Sequence, residues 1–404
     1  MRVAIVLEHL DPRRGGLEHW TWQFTRAMAD RGHEMHVLAR SFSPRTDHPR
    51  IRLHAVSAGR SRMHYAAALQ RRLLGLNCQV VHETGAGWHC DVFQPHFGSR
   101  QALLERRLRA LPAILQPARR LAIGLLPRYR QFRRLAARQY VNDGRLFVAL
   151  SRRVADDFVR FHGVPRDGIR IVPNGVDCAR FSPARRGEFG ASVRRALGLA
   201  DDALLLLLVA HNFRLKGVGP ALRALKLLRR RSAPVHLAIL GGRRRQGYPL
   251  LARALGVQEN VSFLGARSDI VPYLAAADLL VHPTFYDSCS LVVLEALASG
   301  LPVVVSRAAG ANELMTDGRE GYVISDPRQA ATLADRIERL LDPRERSRMG
   351  AAARELALRH SFERNCDRLE AVYREIAGRG RMPGAARTNP ADRLAALVIP
   401  PVRR

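Results

Sequence analysis

Two carboxylates and a few cations have the types and spacing for work on an anionic, hydroxyl-bearing ligand. Asp287 lies in the polar run Pro283-Thr-Phe-Tyr-Asp-Ser-Cys-Ser290, and Glu295 follows eight residues later among Leu291, Val292, Val293, Leu294, Ala296 and Leu297. Eight residues are just over two helical turns, so a loop acid and an acid on the following helix can look into one crevice. A carboxylate on so apolar a helix is costly unless paired, and two ligand hydroxyls would pair it. Upstream, His211-Asn-Phe-Arg-Leu-Lys-Gly217 brings Arg214 and Lys216 to the start of another helix, where free N–H groups and the helix dipole favour phosphate. Of 66 basic residues only Lys216 and Lys226 are lysines, so an ammonium kept here points to a task that an arginine fork does not perform. Arg244, in the glycine-flanked loop Gly241-Gly-Arg-Arg-Arg-Gln-Gly247, adds a further cation on the same sheet edge. Ser290 and Leu291 open the Glu295 helix and complete the expected ligand-binding set.

These residues need a scaffold of parallel strands. The first forty residues read as a strand over 2–7, a loop over 9–16 with Gly15-Gly16 in the turn, a helix over 17–31 and a strand over 34–39. Gly15 and Gly16 let a ligand approach the backbone at a helix N-terminus. The turn is not Gly-x-Gly-x-x-Gly, and the second strand ends in Ala39-Arg40 without an acid for a dinucleotide ribose, which argues against an NAD dehydrogenase. Further strands are expected near 79–82, 91–95 and 146–150, then 203–210, 235–240, 261–264, 278–282 and 302–306. Alternation of this kind implies an α/β chain with two Rossmann-like, doubly wound parallel sheets. The first domain is expected over 1–173, carrying an Arg-dense amphipathic segment at 99–139 interrupted by Pro112, Pro117 and Pro127; the second spans 174–360. A helix is expected over 361–377, and the Pro-, Gly- and Arg-rich tail 378–404 reads as disordered.

The net charge of +30 favours anionic partners: a phosphorylated glycolipid or an anionic membrane surface. No zinc finger, aromatic RNP-type run or coiled-coil basic region accompanies it, so nucleic acid is not expected. Five scattered cysteines without ligand spacing read as reduced thiols. The chain lacks Asp-x-Asp, so phosphate binding without a metal, and no cofactor beyond the substrate itself, is expected. No apolar run approaches the ~18 residues of a membrane span, and the start does not read as a signal peptide; a cytoplasmic protein, peripheral at the inner membrane face, is the expectation.

The segment around Asp287 and Glu295 resembles the two-acid signature of the retaining GT-B glycosyltransferases of family 4, a Glu, seven residues and a second Glu. The turn Pro173-Asn-Gly-Val-Asp177 resembles the domain-junction turn of that family, and Gly15-Gly16-Leu17, Asn212-Phe-Arg-Leu-Lys-Gly-Val218 and His282-Pro-Thr284 look like the lipopolysaccharide core glucosyltransferases within it. The resemblance implies a GT-B fold with an interdomain cleft and transfer of a hexose from a nucleotide-sugar such as UDP-glucose to a glycan or glycolipid. It also implies that the 361–377 helix returns to the first domain. Sugar contact falls by the match on Asp287, ribose contact on Glu295 and diphosphate contact on the Lys216 loop, while His96 resembles the interdomain histidine of many members. Lys216, Arg214, Asp287 and His96 are then the catalytic set. Three departures stand out: Asp287 is one methylene shorter than the usual Glu, Leu215 precedes Lys216 where an Arg is usual, and Trp20 replaces an acid. The rival readings are a GT-B-type sugar-nucleotide epimerase and a polyanion-binding protein on an inactive scaffold.

Overall fold

The computed structural model describes residues 1–379 except 45, 60, 110–112, 201 and 243–246. The expected disorder of the tail therefore falls, from 380 on, outside the described residues. Two compact units emerge, one formed by Met1–Val148, Asp156–Arg170 and Leu369 onward, the other by Ala149–Ala155 and Ile171–Arg368.

The first unit holds β1 (Arg2–Val6), α1 (Gly16–Asp30), β2 (Glu34–Ala39), β3 (Ile51–Ala55), α2 (Arg62–Leu74), β4 (Val80–Glu83) and β5 (Val92–Phe93). It continues through α3 (Arg100–Arg109), α4 (Gln116–Leu125), α5 (Pro127–Gln139), β6 (Leu146–Ala149), α6 (Arg152–His162) and β7 (Ile169–Ile171), the last three lying where the chain passes between the units. Its sheet has the order β3-β2-β1-β4-β5-β6-β7, and the registers described are parallel. The inner strands are short apolar runs buried on both faces, as parallel sheets require. Strand β3, Ile-Arg-Leu-His-Ala, lies at the edge and half faces solvent, so its residues lack the unbroken apolar run of the inner strands and sequence reading passed over it.

The Arg-dense segment is helical. Pro117 and Pro127 mark its interruptions: α4 and α5 are separate helices, and each proline sits in the first turn of one, where a missing N–H costs nothing. Pro112 lies outside the described residues.

The second unit comprises α7 (Ala191–Ala196), β8 (Leu204–Ala210), α8 (Val218–Arg230), β9 (Val235–Gly241), α9 (Tyr248–Leu255), β10 (Val261–Gly265), α10 (Val271–Ala276), β11 (Leu279–His282), α11 (Leu291–Ala298), β12 (Val303–Ser306), β13 (Gly321–Ile324), α12 (Ala330–Arg339) and α13 (Pro343–Arg359). The order β10-β9-β8-β11-β12-β13 is parallel throughout and reverses direction between β8 and β11, a topological switch point. One apolar cluster covers each face: Leu206, Leu208, Leu222, Leu225 and Val281 on one, Leu205, Leu207, Leu280, Val293 and Leu297 on the other. The last described helix, α14 (Phe362–Gly378), begins in the second unit and from Leu369 belongs to the first. There the Tyr373 hydroxyl and His82 Nδ1 share a hydrogen bond at 2.5 Å. Among the described residues no helix is long and apolar enough to cross a membrane.

Candidate functional site

Strands β8 and β11 are neighbours at the switch point, and the loops leaving their C-terminal ends carry Lys216 and Asp287. The β8 loop is a tight turn: Asn212 accepts from Leu215 N through Oδ1 at 3.1 Å and from Lys216 N through its carbonyl at 2.9 Å. Gly217 ends it with φ +75°, a left-handed conformation, and lies so close to the β11 loop that a Cβ would stand 2.0 Å from the Pro283 carbonyl oxygen. The two loops are sewn together. Phe285 N donates to the Leu215 carbonyl at 2.8 Å, and the Thr284 hydroxyl donates to the same carbonyl at 3.0 Å. On the other side Asp287 N donates to the Ala308 carbonyl at 3.1 Å, Gly310 N to the Asp287 carbonyl at 2.9 Å, and the Ser306 hydroxyl to the Thr284 carbonyl at 2.5 Å.

This frame brings Lys216 Nζ onto Asp287 Oδ2 in an ion pair whose side chains are 11% and 10% exposed. His282 at the end of β11, fully buried, places Nε2 3.4 Å from the same oxygen. Burial alone would raise the Asp287 pKa; the Lys216 charge, aided by His282, outweighs it and holds the carboxylate well below the usual range. Burial lowers the His282 and His211 pKa values, and the Lys216 charge adds to this in both, leaving them neutral beside the cation.

Glu295 faces other neighbours. Its carboxyl pKa is pushed up to about 7, chiefly by burial; Arg180 opposes the shift and Asp269 adds to it. Among the described residues the carboxylate makes no hydrogen bond or ion pair, while Arg180 binds Asp269 at 2.9 Å. Asp287 and Glu295 thus share no protein partner. Ser290 caps α11 in an extended conformation without a side-chain bond, leaving the N–H groups from Leu291 onward as donors. Arg214 is exposed and has no described ion pair; its charge is felt by Tyr248 at the start of α9. Arg244 lies outside the described residues, but its loop is tied to the lysine loop through Gly242, where a Cβ would meet the Phe213 ring at 2.3 Å.

Gly15, Gly16 and His96 belong to the first unit. Gly15 is extended, with φ 175°, so no left-handed turn explains it; a Cβ there would stand 3.1 Å from the Glu18 carboxylate, which folds back toward the start of α1. His96 packs on Trp20 with ring centroids 4.4 Å apart, and its pKa is pushed down to about 3 by burial and by His82. Trp20, standing where the resemblance expects an acid, is fully buried and stacks on Phe24.

Sequence reading missed Arg180 and Asp269, which carry no motif, and Asn174, whose Nδ2 donates to the Cys289 carbonyl at 2.7 Å and steadies the acid loop. Thr284 had a legible signal in a hydroxyl placed directly after a strand end.

Two family descriptions match the chain in succession: Glycosyltransferase Family 4 over residues 14–180 and Glycosyl transferases group 1 over residues 191–356. A D-inositol 3-phosphate glycosyltransferase of Corynebacterium jeikeium is 30% identical over 61% of this chain and 61% of its own length. Another, of Actinosynnema mirum, is 28% identical over 92% and 96%. Among solved structures, WaaG, a glycosyltransferase involved in lipopolysaccharide biosynthesis, superposes with TM-score 0.77 at 23% identity over 92% of this chain and 99% of its own. Anabaena HepE in complex with UDP-glucose gives TM-score 0.69 at 19% identity over 93% and 100%. With both parallel-sheet units covered by these matches, the chain is a glycosyltransferase of the GT-B fold, similar to group 1 in its second unit and to family 4 in its first.

Proposed function

We propose that the enzyme moves a hexose, with retention at the anomeric carbon, from a UDP-sugar such as UDP-glucose to a phosphorylated glycan, glycolipid or polyol. The observation that carries this reading is the buried Lys216–Asp287 pair at the switch point, beside the open N-terminus of α11. In the transfer the bond between the anomeric carbon and the diphosphate breaks, and negative charge grows on the departing phosphates. Lys216 and Arg214 meet that charge from the β8 loop, and Arg244 is assigned the same task. Once the diphosphate engages Lys216, Asp287 turns an oxygen to the sugar hydroxyls. The unbonded Glu295 carboxylate accepts from the ribose hydroxyls, and Ser290 and Leu291 offer backbone contacts; in the first unit, Gly15 and Gly16 offer theirs at the start of α1. Burial pushes the His96 pKa down to about 3, so this side chain acts as a neutral hydrogen-bonding group and not as a cation. The UDP-glucose complex of HepE supports the donor, and the relatives named for D-inositol 3-phosphate support a phosphorylated acceptor.

We place the enzyme at the cytoplasmic face of an anionic membrane. Ile114, Leu121 and Leu125 are 86%, 69% and 71% exposed on and beside α4, interleaved with exposed Arg119, Arg120, Arg128 and Arg130.

The test is incubation with UDP-, GDP- and ADP-hexoses, with and without candidate acceptors, reading nucleoside diphosphate release and product anomer by NMR. Acceptor-dependent release from a UDP-hexose with retained configuration is expected. Isomerised free donor, or no binding of any nucleoside diphosphate, overturns the reading.

A further inference from the structure

The first unit carries a second concentration of positive charge that the donor reading does not use. Glu8 follows β1, Arg40 follows β2, Arg62 is the first residue of α2 and Arg100 the first of α3. All four stand beyond C-terminal strand ends of one parallel sheet, the edge where such sheets take ligands. The Phe132 ring of α5 bears two guanidinium groups, Arg62 at 4.7 Å and Arg100 at 4.6 Å from its centroid. Arg40 lies over the Tyr65 ring at 3.8 Å and donates to the Ala58 carbonyl at 2.6 Å.

Little balances these charges. Glu8, half exposed, stands 3.9 Å from Arg40 and 3.8 Å from Arg62, both beyond hydrogen-bond length. Arg100 has no hydrogen bond or ion pair among the described residues. Arg100 remains exposed to solvent. Both helices begin with a cation at the end where their dipole repels one, and neither has an acid in its first turn. Three guanidiniums against one loosely held carboxylate leave two positive charges in excess, matching the charge of about −1.5 to −2 on a phosphomonoester at neutral pH. Contact with the Phe132 ring restrains both guanidiniums without using their N–H donors, which a bidentate partner can take.

We infer that Arg62, Arg100 and Arg40 form a phosphate subsite that recognises a phosphomonoester on the acceptor. Calling its ligand the acceptor rests on the glycosyltransferase reading above; the anion site itself does not. It belongs to the first unit, whereas the Lys216 loop belongs to the second. In the free protein Glu8 holds the place loosely and yields it to the phosphate.

The test uses the full chain saturated with UDP, so that the donor loops are filled, and follows binding of inorganic phosphate, glycerol 3-phosphate, glycerol and dihexanoylphosphatidic acid by calorimetry. The phosphate-bearing probes bind and glycerol does not. Arg62→Met and Arg100→Met, which keep an apolar stem on Phe132, each weaken phosphate binding at least about tenfold. Glu8→Gln strengthens it, an outcome that a purely structural role for the cluster does not produce. UDP affinity stays within about twofold in all three variants, since the donor loops are untouched. Tighter binding of the lipid than of glycerol 3-phosphate assigns the phosphate to a lipid headgroup; equal binding assigns a soluble acceptor. Phosphate affinity unchanged in both arginine variants overturns the subsite. Failure of the wild-type chain to bind UDP overturns the donor reading instead, and the same titrations without UDP then decide the subsite alone.

Discussion

The Lys216 ammonium and the Asp287 carboxylate, 71 residues apart in the chain, are each other's charge partner in the free protein. In the proposed reaction a diphosphate must out-compete this carboxylate, which His282 supports and burial opposes. A ligand with two adjacent charges does this far better than one with a single charge.

Lys216→Ala removes one partner of this pair and leaves the other buried. Turnover is expected to fall about 10²–10³-fold, the range for loss of one transition-state charge stabiliser, and stability to fall by about 3 kcal/mol. Lys216→Arg restores turnover only partly, because a planar fork does not replace a point charge. The Lys216→Ala/Asp287→Asn double variant regains stability but not turnover, measured by thermal unfolding beside donor kinetics. Because the folded Asp287 pKa is depressed, the advantage of wild type over Asp287→Asn is present above the unfolded carboxylate value of about 3.9 and is lost as pH falls below it.

Glu295 has the opposite sign. Its folded pKa near 7 exceeds the unfolded value, so its protonated form is the one the fold prefers. Stability declines as pH rises from about 4.3 toward 7 and then levels. Glu295→Gln should flatten that decline and raise the melting temperature at pH 8, while UDP affinity at pH 8 drops at least about tenfold as a charged two-oxygen acceptor for the ribose becomes a neutral amide with one. Equal UDP affinity in a folded Gln variant removes the ribose assignment.

Gly217→Ala tests the seam between the two loops. A Cβ 2.0 Å from the Pro283 carbonyl, on a residue at φ +75°, forces the loops apart and costs about 1–3 kcal/mol. The expected signature is a loss of turnover that persists well below the melting temperature, since Lys216 and Asp287 no longer meet.

The α4 surface should bind vesicles containing phosphatidylglycerol and not phosphatidylcholine alone, with affinity falling as salt rises. Arg106 and Arg120 already have carboxylate partners in Asp157 and Glu105, so they contribute less than Arg107 and Arg119. Leu121→Ser with Leu125→Ser should reduce sedimentation with vesicles while leaving UDP binding unchanged. Salt-insensitive sedimentation sinks the membrane reading.

Much of the scaffold was legible because parallel strands are buried on both faces and announce themselves as apolar runs: Leu204–Ala210 and Glu34–Ala39 stand within a residue of expectation. Strand β3 was not, because an edge strand mixes Arg52 and His54 with its apolar residues. Lys216, Arg214, Asp287 and Glu295 were visible as residue types beside helix starts and on an apolar helix. Their partners were not: the Lys216–Asp287 pair, the Arg180 charge near Glu295 and the sharing of Phe132 by Arg62 and Arg100 arise from contacts far apart in sequence, where no local spacing carries a signal. Arg62 and Arg100 were further hidden by the sheer number of arginines around them.

That same excess of arginine makes the donor loop chemically addressable. The chain has two lysine side chains, and they differ in surroundings: Lys226 is half-buried on α8 with no described ion pair, while Lys216 is nearly sealed and held by Asp287. An amine-selective acylating reagent therefore has two side-chain targets, and the ratio of label at 216 to label at 226 within one molecule is an internally referenced gauge of whether the ion pair is closed, open or covered by ligand.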